Sequence, residues 1–156
     1  EEERGVGGSA RWGVEKAGCA LRPAVGGAAA LALENQKPAE LVILDLGLPI
    51  IDGREVLKRL RATPATHRVP VIILTGSEDE SLESDLMDEG ADDYLRKPID
   101  PVRFTARVRA VLRRARQRCY DRAQADRSYG NTCGRCSRRG RTSPLSHRLR
   151  QSHTVA

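Results

Sequence analysis

The chain has 156 residues, 39% of them hydrophobic and 31% charged, the composition of a soluble globular protein with one core and a segment left over. Its net charge of +6 is unevenly placed, because residues 115–156 carry ten Arg against two Asp and the residues before them are slightly acidic on balance. No apolar stretch approaches the roughly 20 residues needed to span a bilayer, and no secretory signal pattern opens the chain, so a cytoplasmic protein without a membrane partner is expected. An aromatic content of 3% makes the core aliphatic. Cys19, Cys119, Cys133 and Cys136 are too few and too irregularly spaced for a disulfide framework.

In chain order, residues 4–18 read as a weak helix, interrupted by Gly5, Gly7, Gly8 and Gly13, each of which costs a helix about 1 kcal/mol relative to Ala. Ala28 to Asn35 is Ala/Leu-rich and reads as a helix that ends before Lys37-Pro38, since proline disfavours helical geometry in its predecessor. Leu41 to Leu46 is a continuous apolar run broken only by Asp45, the pattern of a parallel strand covered on both faces. After Asp52-Gly53, helical spacing places Val56, Leu57 and Leu60 on one side and Arg54, Lys58, Arg59 and Arg61 on the other. Val69 to Leu74 is a second buried-strand run. Ser81 to Glu89 follows as an acidic helix with Leu82, Leu86 and Met87 inward and Gly90 closing it. Asp93-Tyr94-Leu95 is a short strand, and Pro101 opens a last helix whose inner face is Phe104, Val108, Val111 and Leu112. Beyond Arg114 the periodicity stops, so residues 116–156 read as an Arg/Ser/Gly-rich tail, disordered for want of surface to bury.

This alternation of strands and helices predicts a doubly wound parallel α/β sheet, in which right-handed crossovers bring every strand's carboxyl end to one edge. Asp45 ends one strand, Thr75 ends the next, and Lys97 follows the third by two residues. These three groups therefore converge. A carboxylate in an apolar run needs a compensating charge, and Lys97 or a metal ion would supply one.

Four blocks in this order carry a resemblance: Leu44-Asp45-Leu46-Gly47-Leu48-Pro49, Asp52-Gly53, Val69 to Gly76, and Gly90-Ala91-Asp92-Asp93-Tyr94-Leu95-Arg96-Lys97-Pro98. Together they are similar to the successive signatures of the response-regulator receiver family of two-component signalling, with coverage from Glu1 to about Arg114. The resemblance implies a flavodoxin-like fold of strand order 2-1-3-4-5. It makes residues 1–115 a receiver domain that is incomplete at its N-terminus, with its first strand largely missing.

It also implies that Asp45 accepts a phosphoryl group from a histidine kinase or phosphotransfer protein, so that the chain is a signalling domain rather than an enzyme. Thr75 and Lys97 would bind the phosphoryl oxygens, Tyr94 would be the aromatic switch, and the Lys97-Pro98 bond would be cis. Mg²⁺ is the implied cofactor, held by Asp45 and an acidic pair that falls, counting back without gaps, on Glu1 and Glu2. The strand that should hold that pair is absent, which would leave a hole inside the sheet. The acidic opening and the missing initiator Met favour a fragment.

Two other readings stand beside this one. The chain could be a phosphorylation-incompetent pseudo-receiver acting as an interaction module, or a nucleic-acid-binding regulator working through the tail's Arg135 to Arg141 run. Cys133, Cys136, His147 and His153 only approximate a zinc site, with the wrong spacing, and a frameshifted origin for the tail is a further alternative. Asp52 and the Asp92-Asp93 pair read as turn and cap residues, not ligands.

Overall fold

The computed structural model describes Glu15, residues 19–48, 50–77, 80–128 and 152–155. The elements are β1 (Ala20–Pro23), α1 (Gly27–Gln36), β2 (Val42–Asp45), α2 (Gly53–Ala62), β3 (Val71–Thr75), α3 (Glu80–Asp88), β4 (Asp93–Arg96), α4 (Pro101–Ser128) and β5 (Ser152–Val155). Of the weak helix expected over residues 4–18, only Glu15 falls among the described residues, and it is helical.

Five strands form one sheet in the order β1-β5-β2-β3-β4, with every neighbouring pair parallel. Side chains alternate across a strand, so β2 and β3 feed two cores at once. Leu41, Ile43, Ile72 and Leu74 face one side and pack with Phe104, Val108, Val111 and Leu112 of α4. Val42, Leu44, Val71 and Ile73 face the other, against Ala30 of α1, Val56, Leu57 and Leu60 of α2, and Leu86 of α3. All eight strand residues are fully buried. That is why both runs are aliphatic without interruption.

Three expectations are corrected. The sheet has no hole where the first strand was missing, because β5 occupies that place, with Ala20 to Pro23 opposite Ser152 to Val155 on one side and Val42 and Ile43 opposite Thr154 and Val155 on the other. There its backbone pairs with the donors and acceptors of β1 and β2. Residues 116–128, assigned on composition to a disordered tail, continue α4 as part of a 28-residue helix. Its Arg, Ala and Gln residues are good helix formers, and Gln117 to Asp121 and Gln124 to Tyr120 are bridged one turn apart. Met87, expected inward, is 43% exposed, whereas Leu86 is buried.

The strand β1 carries no sequence signal of the usual kind. It is short, and Pro23 is tolerated because β1 lies at the sheet edge. It is tied instead by Arg22, which donates to the fully buried Glu34 carboxylate at 3.0 Å and to the Lys37 carbonyl at 2.8 Å. Glu34 also accepts from the Ala39 N–H at 2.7 Å, bracing the turn into β2.

Local chemistry sets the helix ends. Asp52 caps α2 by accepting from the Glu55 N–H at 2.8 Å. Gly90 ends α3 with a φ of +102°, a conformation that glycine adopts at no steric cost. Arg61, placed by its helical spacing on the outer side of α2, instead reaches across to Gly90 and Val69. It donates to their carbonyls at 2.6–2.9 Å and to Asp92 at 3.2 Å, and burial lowers its guanidinium from the ordinary value.

On the open side of α2, Arg54 grips Glu89 through Nε and Nη2 at 2.6–2.8 Å. That bond holds the Glu89 carboxyl below its usual range and raises the Arg54 guanidinium. A carboxyl depressed in the folded state stabilises above its unfolded value, about pH 4.3, and loses that contribution as pH falls through the folded one. Urea denaturation between about pH 3 and 6 is therefore expected to show a shallower acid loss of stability in Glu89→Gln than in the parent chain.

Candidate functional site

The carboxyl ends of β2, β3 and β4 lie side by side, with Asp45 opposite Leu74 and Thr75 opposite Arg96 in the ladder. The backbone continues the pairing past the strand ends, as Leu46 N–H donates to the Leu74 carbonyl at 3.0 Å and Lys97 N–H to the Thr75 carbonyl at 2.8 Å. Lys97 is thereby carried across β3 toward Asp45. Its ammonium donates to Asp45 Oδ2 in a direct ion pair. The other oxygen, Oδ1, accepts from the Gly47 N–H at 2.9 Å, which fixes the plane of the carboxylate. The Asp45 side chain is 18% exposed and Lys97 42%, so the pair opens to solvent at the sheet edge.

Thr75 is 1% exposed, and its Oγ1 accepts from the Ser77 N–H at 3.0 Å. Tyr94, two positions before the end of β4, packs half-buried against the second core and is hydrogen-bonded to Glu83 of α3, which pushes the phenol up from its usual value. Glu83 also accepts from Arg96. The Lys97-Pro98 peptide is cis.

The loop after β2 is closely fitted. A Cβ at Gly53 would collide with the Asp45 carbonyl oxygen and lie 2.9 Å from Leu46 Cα, so the first turn of α2 can approach the strand end only as glycine. Gly53→Ala is expected to cost about 1–3 kcal/mol by overpacking and to displace Asp45. Chemical denaturation measures the first effect, and loss of the Lys97 Nζ to Asp45 contact in a structure of the variant measures the second. In the same loop, exposed Ile50 holds a φ of +71°, a conformation that costs a β-branched residue on the order of 1–3 kcal/mol.

Of the residues expected at the site, Asp45, Thr75 and Lys97 come together on one edge and Tyr94 sits on the neighbouring strand. Glu1 and Glu2 lie outside the described residues, as do Cys133, Cys136 and His147. Asp52 is the helix cap, and Asp92 and Asp93 pair with Arg61 and Arg118, and with Arg107, respectively. Among the described residues no group of three or more His, Cys, Asp or Glu side chains gathers to hold a metal. Sequence reasoning missed Gly47, Glu83 and Arg61, because backbone donors leave no composition signal and the two charged side chains look like ordinary helix-surface residues.

A family model for the response regulator receiver domain matches residues 1–109. The DNA-binding dual master transcriptional regulator RpaA of Synechocystis sp. is 44% identical over 103 residues, 65% of this chain and 42% of that protein. The chain thus spans less than half of the length of that curated relative. Among solved structures, a putative response regulator from Chloroflexus aurantiacus superposes with a TM-score of 0.62 at 34% identity, covering 65% of this chain and 84% of that one. The Mn²⁺-bound form of response regulator Rcp1 superposes at 0.56 with 27% identity, covering 68% and 85%. The family match takes in well over half of the chain. It belongs to the response regulator receiver family of two-component systems.

Proposed function

We propose that Asp45 is the phosphoacceptor of this receiver and that its phosphorylation by a histidine kinase or phosphotransfer protein switches a protein-interaction surface. The observation that carries the reading is the Lys97 ammonium bound to a carboxylate at the sheet edge, with the Thr75 hydroxyl on the strand between them. In the transfer, an Asp45 oxygen forms the new O–P bond as the P–N bond of phosphohistidine breaks. Charge accumulates on the three phosphoryl oxygens, and positioning plus electrostatic stabilisation supply the catalysis. Lys97 stands where it can move from the carboxylate to those oxygens as a compact charge. Gly47 N–H keeps the carboxylate oriented.

Mg²⁺ suits this role, since it takes one or two carboxylates together with phosphate oxygens and water, and it would neutralise the transferring group. Asp45 is the described residue that would hold it, and Glu1 and Glu2 are the further candidates. The Mn²⁺-bound relative supports a divalent ion here.

The switch reading rests on Thr75 and Tyr94. Tyr94 is hydrogen-bonded to Glu83, so a turn of its side chain must release α3 from β4 at that point. Added negative charge and acceptor oxygens at Asp45 would bias that two-state contact. A transcriptional output is proposed by analogy with relatives such as the Synechocystis regulator.

Incubation with acetyl phosphate and Mg²⁺, followed by peptide mass spectrometry, is expected to show one acid-labile phosphoryl group on the Asp45 peptide. The second reading is a pseudo-receiver that binds partners without taking phosphate. It would be supported by an unmodified Asp45 under those conditions.

A further inference from the structure

Helix α4 is held to the sheet by one stripe of side chains and carries a different stripe outside. Phe104, Val108, Val111 and Leu112 are buried, whereas from Arg113 to Ala125 no residue of the helix is buried. The whole helix, Pro101–Ser128, holds nine Arg, no Lys and two Asp. Four of the nine meet carboxylates elsewhere at 2.8–3.8 Å: Arg107 and Arg114 at Asp93, Arg116 at Glu40 and Arg118 at Asp92. Arg109 and Arg113 are exposed and make no ion pair among the described residues. At about 3.6 residues per turn, Arg109, Arg113, Arg116 and Tyr120 share one strip about 60° wide and roughly 16 Å long, turned away from Phe104 and Val108. Tyr120 is 60% exposed, and its hydroxyl accepts from Gln124 at 2.6 Å, which leaves the phenolic proton to donate.

Like charges three and four positions apart destabilise a helix. Here they recur at Arg109 and Arg113, Arg113 and Arg116, Arg114 and Arg118, and Arg118 and Arg122. The helix dipole does not account for them, because its effect is confined to the last turn and Arg113 stands 15 residues before Ser128. We propose that this strip is a docking surface for the phosphate backbone of duplex DNA, contacted without regard to sequence and independently of the chemistry at Asp45. Duplex DNA carries one negative charge per roughly 1.7 Å of its axis, so the strip meets a line of charge along its whole length. Guanidinium forks and a tyrosine hydroxyl are groups that bind phosphate oxygens. Other polyanionic or interfacial partners fit less well. A bilayer takes up the apolar face of a helix, and here that face is buried in the core. A folded protein partner draws its binding energy from a buried apolar centre, and the middle of this strip is Arg113 between Arg109 and Arg116. An unpaired strand stacks successive bases on several aromatic rings, and the strip offers Tyr120 alone.

The test uses the full chain and a fluorescein-labelled duplex of about 20 base pairs and arbitrary sequence, with anisotropy read over a range of salt concentrations. Arg109→Gln/Arg113→Gln is expected to weaken binding about tenfold or more and to flatten the slope of log K against log salt by about 2, one phosphate for each arginine. Arg59→Gln/Arg68→Gln removes the same charge from exposed positions elsewhere and is expected to bind within about twofold of the parent. Gln is as good a helix former as Arg, so the melting temperatures should coincide. In the unaltered chain, added duplex is expected to slow hydrogen exchange of the Arg113 to Gln124 amides about threefold or more, because the facing charges are neutralised. Unchanged affinity in Arg109→Gln/Arg113→Gln, an equal loss in Arg59→Gln/Arg68→Gln, or α4 exchange indifferent to bound duplex would each overturn the proposal. Tighter binding to a single strand of the same length, or to phosphatidylserine vesicles, would overturn it too. The exchange measurement decides the matter without reliance on any variant.

Discussion

Phe104→Ala is expected to lower the unfolding free energy by about 3–5 kcal/mol, the range for deleting a buried aromatic side chain that the surroundings refill only partly. Phe104 is the only phenylalanine in the chain and is fully buried. It stands in the first turns of α4 against Leu41, Ile43, Ile72 and Leu74, the inner residues of the two strands that end in Asp45 and Thr75. Among the described residues nothing else of its volume lies in that core, where its other buried partners are Cys19, Val108, Val111 and Leu112. With total stability of an ordinary domain near 5–15 kcal/mol, a loss of that size leaves a marginal fold. Urea denaturation should show the midpoint falling with little change in slope. A cost below about 1 kcal/mol would mean that α4 does not seal this core as the structure has it.

Lys97→Ala is expected to reduce the initial rate of Asp45 phosphorylation from acetyl phosphate by about 10²-fold, the effect of removing one preorganised charge aimed at developing negative charge. Global stability should change little, because Lys97 is 42% exposed and such pairs contribute near 0–1 kcal/mol. Lys97→Arg is not expected to restore the rate. A planar guanidinium cannot occupy the position of a point charge between a carboxylate and a phosphoryl group without displacing one of them. Rates from phosphate release or tryptic phosphopeptide yield, set beside thermal melts of the same variants, separate a chemical role from a structural one. Equal rates for Lys97→Ala and the parent would remove Lys97 from the site.

Much of the site was legible because it is built from strand ends. The apolar runs over 41–46 and 69–74, and the short strand at 93–95, locate three carboxyl ends. Parallel topology then requires Asp45, Thr75 and Lys97 to meet, and the structure brings them together. The two cores were legible for a related reason: residues buried on both faces of a strand leave an unbroken aliphatic run, and residues buried on one face of a helix leave the spacing seen at Phe104, Val108, Val111 and Leu112.

What only the tertiary structure decided has a physical cause in each case. Strand β1 is held by the Arg22 bond to Glu34 and by edge position, neither of which leaves a periodic pattern. Arg61 reads as a surface charge in its helix, and becomes a bridge only because Gly90 and Val69 present carbonyls across the gap. Glu83 acquires meaning only once α3 is laid beside β4, where it meets both Tyr94 and Arg96. The central strand is the clearest case. By itself the sequence determined which residues end the strands and what charge they carry; it left the middle of the sheet open. Ser152–Val155 fills that place by pairing its backbone with β1 and β2, a main-chain interaction to which side-chain patterns are blind.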